Sequence, residues 1–338
     1  MFSGKIILVT GGTGSFGHQI VKDLIKNNAE EVRILSRDEK KQDDMRKEFS
    51  KFSNLRFIVG DVRDLSSLEE SVRKVDIIFH AAALKQVPSC EYNVFEAVKT
   101  NIIGARNVIL AALAENVPSV VAVSTDKAVE PVNVMGMTKA IQERLFTQAN
   151  LYRDGRQTVF SCVRYGNVLG SRGSVVPLFY QQIKLGRALT LTDERMTRFI
   201  LTLPQSIQLV FKAAAEAIGG EIFVLKIPAH TVKDLAEVML EELPARNKEI
   251  KITGIRPGEK INETLVSPVE SLRTIELGNY YIILPSINIK DIREKYNFFA
   301  GNQNIFRFSS DHAYRLNKSE IKNLLQLAGW IPNKYETR

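Results

Sequence analysis

Ile6-Ile7-Leu8-Val9-Thr10-Gly11-Gly12-Thr13-Gly14-Ser15-Phe16-Gly17 is the stretch on which the fold turns. Residues 5–10 read as an apolar strand, and residues 17–27 carry an amphipathic helical pattern. Between them Gly11, Gly14 and Gly17 lie three apart, and Gly12, Gly14 and Gly17 meet the looser dinucleotide fingerprint. Glycines here permit a tight turn and let the backbone approach a pyrophosphate held at the helix N-terminus. A phosphate-binding turn opening an α/β fold is the expectation.

The same rhythm continues outward. Further strand candidates cover residues 31–36, 55–59, 76–81, 119–124 and 158–164, with helical patterns over 65–74, 93–116 and 135–151. Near-continuous apolar strands alternating with helices predict a parallel sheet covered on both faces, a Rossmann doubly wound sheet. After Asn167 the pattern changes to a loop, Gly170-Ser171-Arg172-Gly173-Ser174, then a helix near 175–185. A helix at 204–218 and a strand at 221–225 are expected to rejoin the sheet. The rest, with a turn at Arg256-Pro257-Gly258 and a helix at 318–327, reads as a smaller α/β lobe. The expected division is a dinucleotide-binding domain over 1–168, with 205–226 returning to it, and a substrate domain over 169–338. Substrate would bind between the two lobes, beyond the carboxyl ends of the strands.

Composition narrows the function. Of 338 residues, 44% are hydrophobic and 25% charged, as in a soluble globular protein. No apolar run approaches the roughly 18–20 residues of a membrane span, and the N-terminus lacks a signal-peptide layout, so a cytoplasmic enzyme is expected. Cys90 and Cys162 are too few for a disulfide framework and read as small core residues. His18, His80, His230 and His312 are scattered and form no metal-ligand pair. The net charge of +8 is spread among acids, as in Arg37-Asp38-Glu39-Lys40-Lys41, without the basic, aromatic-laced stripe of a nucleic-acid binder. Phosphate-bearing small molecules account for part of it.

The second strand ends in Ser36-Arg37. Arg37 suits a ribose 2′-phosphate, and Lys41 follows, so NADP is expected; Asp38 is the acid that would argue for NAD. The cofactor set is then Gly11, Thr13, Gly14, Ser15, Phe16, Gly17, Ser36, Arg37 and Lys41, with Asp61 and Val62 near the adenine. Ala81, Ala82 and Ala83 are small enough for close approach. The fifth strand ends in Ser124-Thr125-Asp126-Lys127, and Met135 and Lys139 share a face of the next helix.

These blocks resemble the extended short-chain dehydrogenase/reductase family, which places a Ser or Thr after the fifth strand and Tyr-x-x-x-Lys on the next helix. By that resemblance Lys139 holds the nicotinamide ribose. Met135 stands where the tyrosine belongs, and a thioether cannot take a proton from a hydroxyl. Ser124-Thr125-Asp126-Lys127-Ala128, with His80-Ala81-Ala82-Ala83-Leu84-Lys85, Arg164-Tyr165-Gly166-Asn167, Met196-Thr197-Arg198-Phe199 and Arg256-Pro257-Gly258-Glu259-Lys260, is similar to the inverting UDP-N-acetylglucosamine 4,6-dehydratases. Their capsule and O-antigen branch also has Met in the tyrosine position. The likeness spans almost the whole chain and is weakest after Ser271.

The resemblance implies a reaction without net redox change. Hydride leaves carbon 4 for NADP, and the ketone acidifies carbon 5. The carbon-5 proton and 6-hydroxyl are lost, hydride returns to carbon 6, and reprotonation on the opposite face inverts carbon 5. Asp126 is then the acid that releases water. Lys127 is the base, its pKa lowered by burial and by cations such as Lys139. Lys127 is also the first choice to deprotonate the 4-hydroxyl, which Thr125 would orient. Lys85 and Tyr165 are expected substrate contacts, with proton transfer or packing as their other candidate roles, and Asn167, Arg198 and Arg256 the anchors of uridine diphosphate. For Arg198 the alternative is an inter-lobe salt bridge; Glu263 is open between a ribose ligand and a solvated helix face. A UDP-hexose 4-epimerase is the nearest rival, and a non-catalytic NADP-sensing module the rival from another class. A homo-oligomer is expected, a hexamer by resemblance, with residues 107–114 either a subunit contact or core.

Overall fold

The computed structural model describes residues 1–153, 155–290, 292–297 and 304–332. Its centre is a sheet built on β1 (Ile6–Thr10), β2 (Glu31–Ser36), β3 (Leu55–Val59), β4 (Ile77–His80), β5 (Ser119–Thr125) and β6 (Val159–Tyr165). Their order is β3-β2-β1-β4-β5-β6, all parallel. The strand Ile222–Leu225 adds parallel to β6, and the hairpin Thr274–Leu277 and Tyr280–Ile283 closes that edge antiparallel. This is the doubly wound Rossmann sheet. The strand order reverses between β1 and β4, where such sheets open a crevice for ligands.

Local sequence explains the elements. Ile7, Leu8, Val9 and Thr10 are wholly buried, as strands covered by helices on both faces must be. Helix α1 (Ser15–Lys26) turns Gly17, Ile20, Val21 and Leu24 inward, one stripe at helical spacing. Burying each of its three aliphatic side chains contributes roughly 1.5–3 kcal/mol.

A second apolar core lies beyond residue 168, where Phe179, Leu235, Met239 and Leu325 pack between helices Val175–Lys184, Val232–Glu242 and Lys318–Leu327. Trp330 packs edge-on against Tyr180 there, ring centroids 5.7 Å apart. Cys162 belongs to the main core, and Cys90 sits with Ala97 and Met135 in a small apolar cluster.

One helix departs from the sequence expectation. Val94–Ala114, 21 residues long, is apolar enough to cross a membrane by length and composition. Interspersed Glu96, Lys99, Asn101, Arg106 and Asn107 break its apolar run in sequence. Just over half (56%) of its apolar window is buried against the rest of the protein. Asn101 donates to Leu84 O and Thr138 Oγ1, and Asn107 to Val62 O and Arg63 O. Val108, Ile109, Ala111 and Ala112 are buried in the monomer, so residues 107–114 serve the core.

Candidate active site

The cofactor end begins at the glycine turn. Gly11 has φ +69°, and a β-carbon there would lie 2.8 Å from Ala82 Cα and N. One on Gly17 would lie 2.4 Å from Gly12 Cα, so the turn is folded tightly on itself and on the residues after β4. Gly14 caps α1 without a side-chain bond, and no acid occupies the first turn. The N-terminal amides of α1 thus remain suited to an anion. Thr13 Oγ1 donates to Ser36 Oγ at 3.1 Å, tying this turn to the end of β2.

Beside it, Asp38 caps the helix Glu39–Glu48 by accepting from Lys41 N at 3.0 Å, and it pairs with the Lys41 ammonium. Those two contacts hold its carboxyl below the ordinary carboxylate range. Arg37 is half exposed, with Nη1 3.5 Å from Asp61 Oδ2. Asp61 also accepts from Arg63 N at 3.0 Å and Nε at 2.8 Å, and Val62 is buried. Taken together, these residues fit a dinucleotide.

Helix Val134–Ala149 starts on Asn133, whose Oδ1 accepts from Gly136 N at 2.7 Å while its Nδ2 donates to Gly258 O at 2.7 Å. Both Met135 and Lys139 are buried. Met135 packs with Cys90 and Ala97 in a small apolar cluster. Lys139 Nζ donates to Val123 O at 2.6 Å and Gln142 Oε1 at 2.8 Å. Burial pushes its pKa down to about 8. His80 is buried as well and kept neutral, pushed down to about 3 by burial and then by the Lys139 charge.

At the end of β5 the chain turns through Asp126–Ala128 and brings three ionisable groups together. Asp126 is wholly buried and Glu263 nearly so, at 2% exposure. Lys127 Nζ lies 3.0 Å from Asp126 Oδ1 and 3.1 Å from Glu263 Oε1. Thr125 Oγ1 donates to the same Asp126 oxygen at 3.0 Å. Each carboxylate keeps its second oxygen buried and unpartnered, Asp126 Oδ2 and Glu263 Oε2. Asp126 Oδ2 faces Gly166, where a β-carbon would come within 3.2 Å. Asp126-Lys127 is therefore no surface turn.

Two expectations need correction here. Burial alone would lower the pKa of Lys127, but Asp126 and Glu263 outweigh it, and the ammonium is held above its ordinary range. Glu263 is on no solvated helix face. It lies in the loop before the strand Thr264–Val266, its amide donating to Ser310 Oγ at 2.9 Å.

The expected substrate residues divide. Tyr165 lies beside Thr125 in the sheet register and stacks on Phe16, centroids 6.4 Å apart. Burial drives its phenol well above the ordinary value, which disfavours it as a proton carrier. Asn167 follows Gly166 at this rim, half-buried. Lys85 is exposed, its pKa lowered by partial desolvation and by Arg172. Arg198 is buried beside Lys127, but its guanidinium donates to Thr197 O, Ile261 O and Lys260 O. It presents no free fork to a phosphate, and those bonds stand in place of the inter-lobe salt bridge. Arg256 is exposed and paired with Glu259.

A family model described as polysaccharide biosynthesis protein matches residues 7–285. The chain belongs to the polysaccharide biosynthesis protein family. Within it, the chain is 44% identical over 338 residues to the UDP-glucose 4-epimerase of Rickettsia canadensis, covering 98% of both. It is 46% identical over 336 residues to a Methanocaldococcus jannaschii protein named uncharacterized membrane protein MJ1061, again covering 98% of both. The X-ray structure of Pen from Bacillus thuringiensis superposes with a TM-score of 0.92 at 39% identity, over 98% of this chain and 100% of that one.

For this member of the family, the sequence offered Glu263 only as a ribose ligand or a helix-face residue, and Arg172 not at all. Glu263 carried no motif signal. Arg172 was quoted only as loop, yet its amide donates to Ser15 Oγ at 3.1 Å, folding 170–174 over the start of α1. Its charge is felt by both Asp38 and Lys85. The glycines flanking it, Gly170 and Gly173, both at positive φ, were the available signal that this loop doubles back.

Proposed function

We propose that this protein is an NADP-dependent, 5-inverting UDP-N-acetylglucosamine 4,6-dehydratase serving surface-polysaccharide synthesis in the cytoplasm. The observation that carries this reading is the buried Asp126–Lys127–Glu263 cluster. Removal of a carbon-5 proton and a 6-hydroxyl requires an acid and a base close together, whereas a 4-epimerase needs one base for the 4-hydroxyl proton besides hydride exchange, and no acid for a leaving hydroxyl. Asp126 being spent neither on a cap nor on surface solvation, and its second oxygen being unpartnered, both favour a role toward substrate.

The bound nicotinamide would supply the hydride acceptor and donor. The glycine turn and α1 would hold its pyrophosphate. Arg37 would hold the 2′-phosphate, a choice supported by the engagement of Asp38 in its helix cap. Lys139 retains donor capacity beyond Val123 O and Gln142, and would orient the ribose. Thr125 would orient the 4-hydroxyl. Lys127 starts as an ammonium. Passing one proton to Asp126, 3.0 Å away, makes Lys127 an amine base and Asp126 a carboxylic acid. Lys127 takes the 4-hydroxyl proton as carbon 4 is oxidised, sheds it to solvent and then takes the carbon-5 proton; Asp126 protonates the departing 6-hydroxyl as water, and a solvent proton reaches carbon 5 on the opposite face.

The epimerase reading is favoured by the name of the Rickettsia relative, which covers the same length. Proton NMR of the purified protein with UDP-N-acetylglucosamine in deuterated water separates the two. The dehydratase gives a new methyl signal, deuterium at carbon 5 and no net NADPH. An epimerase gives only the galacto-configured sugar nucleotide. No turnover despite tight NADP binding would make the protein a cofactor sensor.

A further inference from the structure

We propose that Glu263 is a positioning residue of the acid–base centre, delivered by the second half of the chain to hold Lys127 Nζ in place opposite Asp126. The inference rests on the dehydratase reading for its catalytic meaning, but its geometry does not. Lys127 Nζ stands between the carboxylates at 3.0 and 3.1 Å, and Asp126 is its sequence neighbour. A lysine held only by its neighbour could swing about its long stem. A second carboxylate from a separate segment removes that freedom.

The segment carrying Glu263 is itself fixed. Glu263 exchanges hydrogen bonds with Ser310, N to Oγ at 2.9 Å and O from Ser310 N at 2.8 Å. Two residues on, Leu265 O accepts from buried Arg164 Nη1 at 2.8 Å, and Arg164 also binds Glu143 of the Lys139 helix and Glu270. The same arginine thereby locates both the helix that carries Lys139 and the segment that carries Glu263. Burying Glu263 among so few partners is costly unless its charge is matched, and Lys127 is the match. Among the described residues, the charged groups facing Lys127 include Asp126 on its own turn, Glu263, Arg198 from the strand Thr197–Leu201, and Lys260. Of these, only the carboxylates favour the ammonium.

The test reads Lys127 directly. Protein labelled with 13C and 15N at lysine, with K127R for assignment, gives the titration of Nζ by NMR without any substrate. Glu263→Gln is expected to lower the Lys127 midpoint by about one pH unit or more, the scale of a lost neighbouring charge, while Glu263→Asp stays near wild type. NADP binding confirms that each variant is folded. In turnover of UDP-N-acetylglucosamine, E263Q should lower kcat more than it changes KM and move the pH profile down by the same amount. An unshifted Nζ midpoint in folded E263Q overturns the inference. A shifted midpoint in a protein that makes no methyl product supports Glu263 as the partner of Lys127 and sinks the dehydratase reading instead.

Discussion

At the residue scale the proposed chemistry rests on two side chains, Asp126 and Lys139, and both are testable singly. Asp126 is wholly buried with one oxygen free. Asp126→Asn should lower methyl formation by about 100-fold or more, the usual scale of a lost acid–base group, and leave NADP affinity unchanged. Stopped turnover with unchanged cofactor titration is the expected pattern; wild-type turnover would remove Asp126 from the mechanism. Lys139 is charged below about pH 8 and neutral above it, because burial lowers its pKa to that value. A ribose held by its ammonium should bind progressively less well as pH rises through 8. Fluorescence titration of NADP between pH 7 and 9.5 checks this, and a flat affinity would show that Lys139 does not need its charge.

Elements place these residues, and their joints are stiff. The turn before α1 leaves no room for a side chain at Gly17, where a β-carbon would sit 2.4 Å from Gly12 Cα and 2.5 Å from Gly12 O. Gly17→Ala must therefore move α1 relative to β1. It should weaken NADP binding at least about tenfold and lower the melting temperature, since backbone cannot yield as a flexible side chain does. The helix carrying Lys139 is joined to the Arg256–Lys260 loop by Asn133, which caps the helix and donates to Gly258 O. Asn133→Ala should cost about 1 kcal/mol of stability, as lost N-caps do. If the loop helps to bind substrate, KM rises more than kcat falls; an unchanged KM would confine Asn133 to capping.

On the scale of the whole molecule, the two halves are braced by buried charge. Arg164 Nη2 lies 2.6 Å from Glu143 Oε2 and 2.9 Å from Glu270 Oε1. Arg164→Met would leave Glu143 buried without its ion-pair partner and Glu270 with only Arg273, 3.9 Å away. Urea unfolding should show a loss of about 3–5 kcal/mol, the range for a broken buried pair. The same brace gives an acid limb. Although burial opposes it, Arg164 lowers the pKa of Glu270 from the ordinary 4.5 to about 2. Its folded pKa is depressed, so its stabilisation is complete above about pH 4.5 and is lost as pH falls toward 2. Glu270→Gln should flatten the pH dependence of the melting temperature in that window while lowering stability at neutral pH.

What was legible in the chain by itself was the part encoded over short spans. The run Ile6–Gly17 and the alternation of apolar strands with helices each rest on neighbours a few residues apart, whereas Asp126, Lys127 and Lys139 were picked out by family resemblance. Turn sterics and side-chain periodicity act at that range, so sequence determined the doubly wound sheet and the place of the glycine turn. The protonation of Lys127, the placement of Glu263 and the engagement of Arg198 with backbone carbonyls were decided only by tertiary structure. Charge–charge coupling and desolvation depend on distance in space. Glu263 reaches Lys127 from a segment held by Ser310, Arg164 and Arg198, and no local pattern in the chain records that meeting.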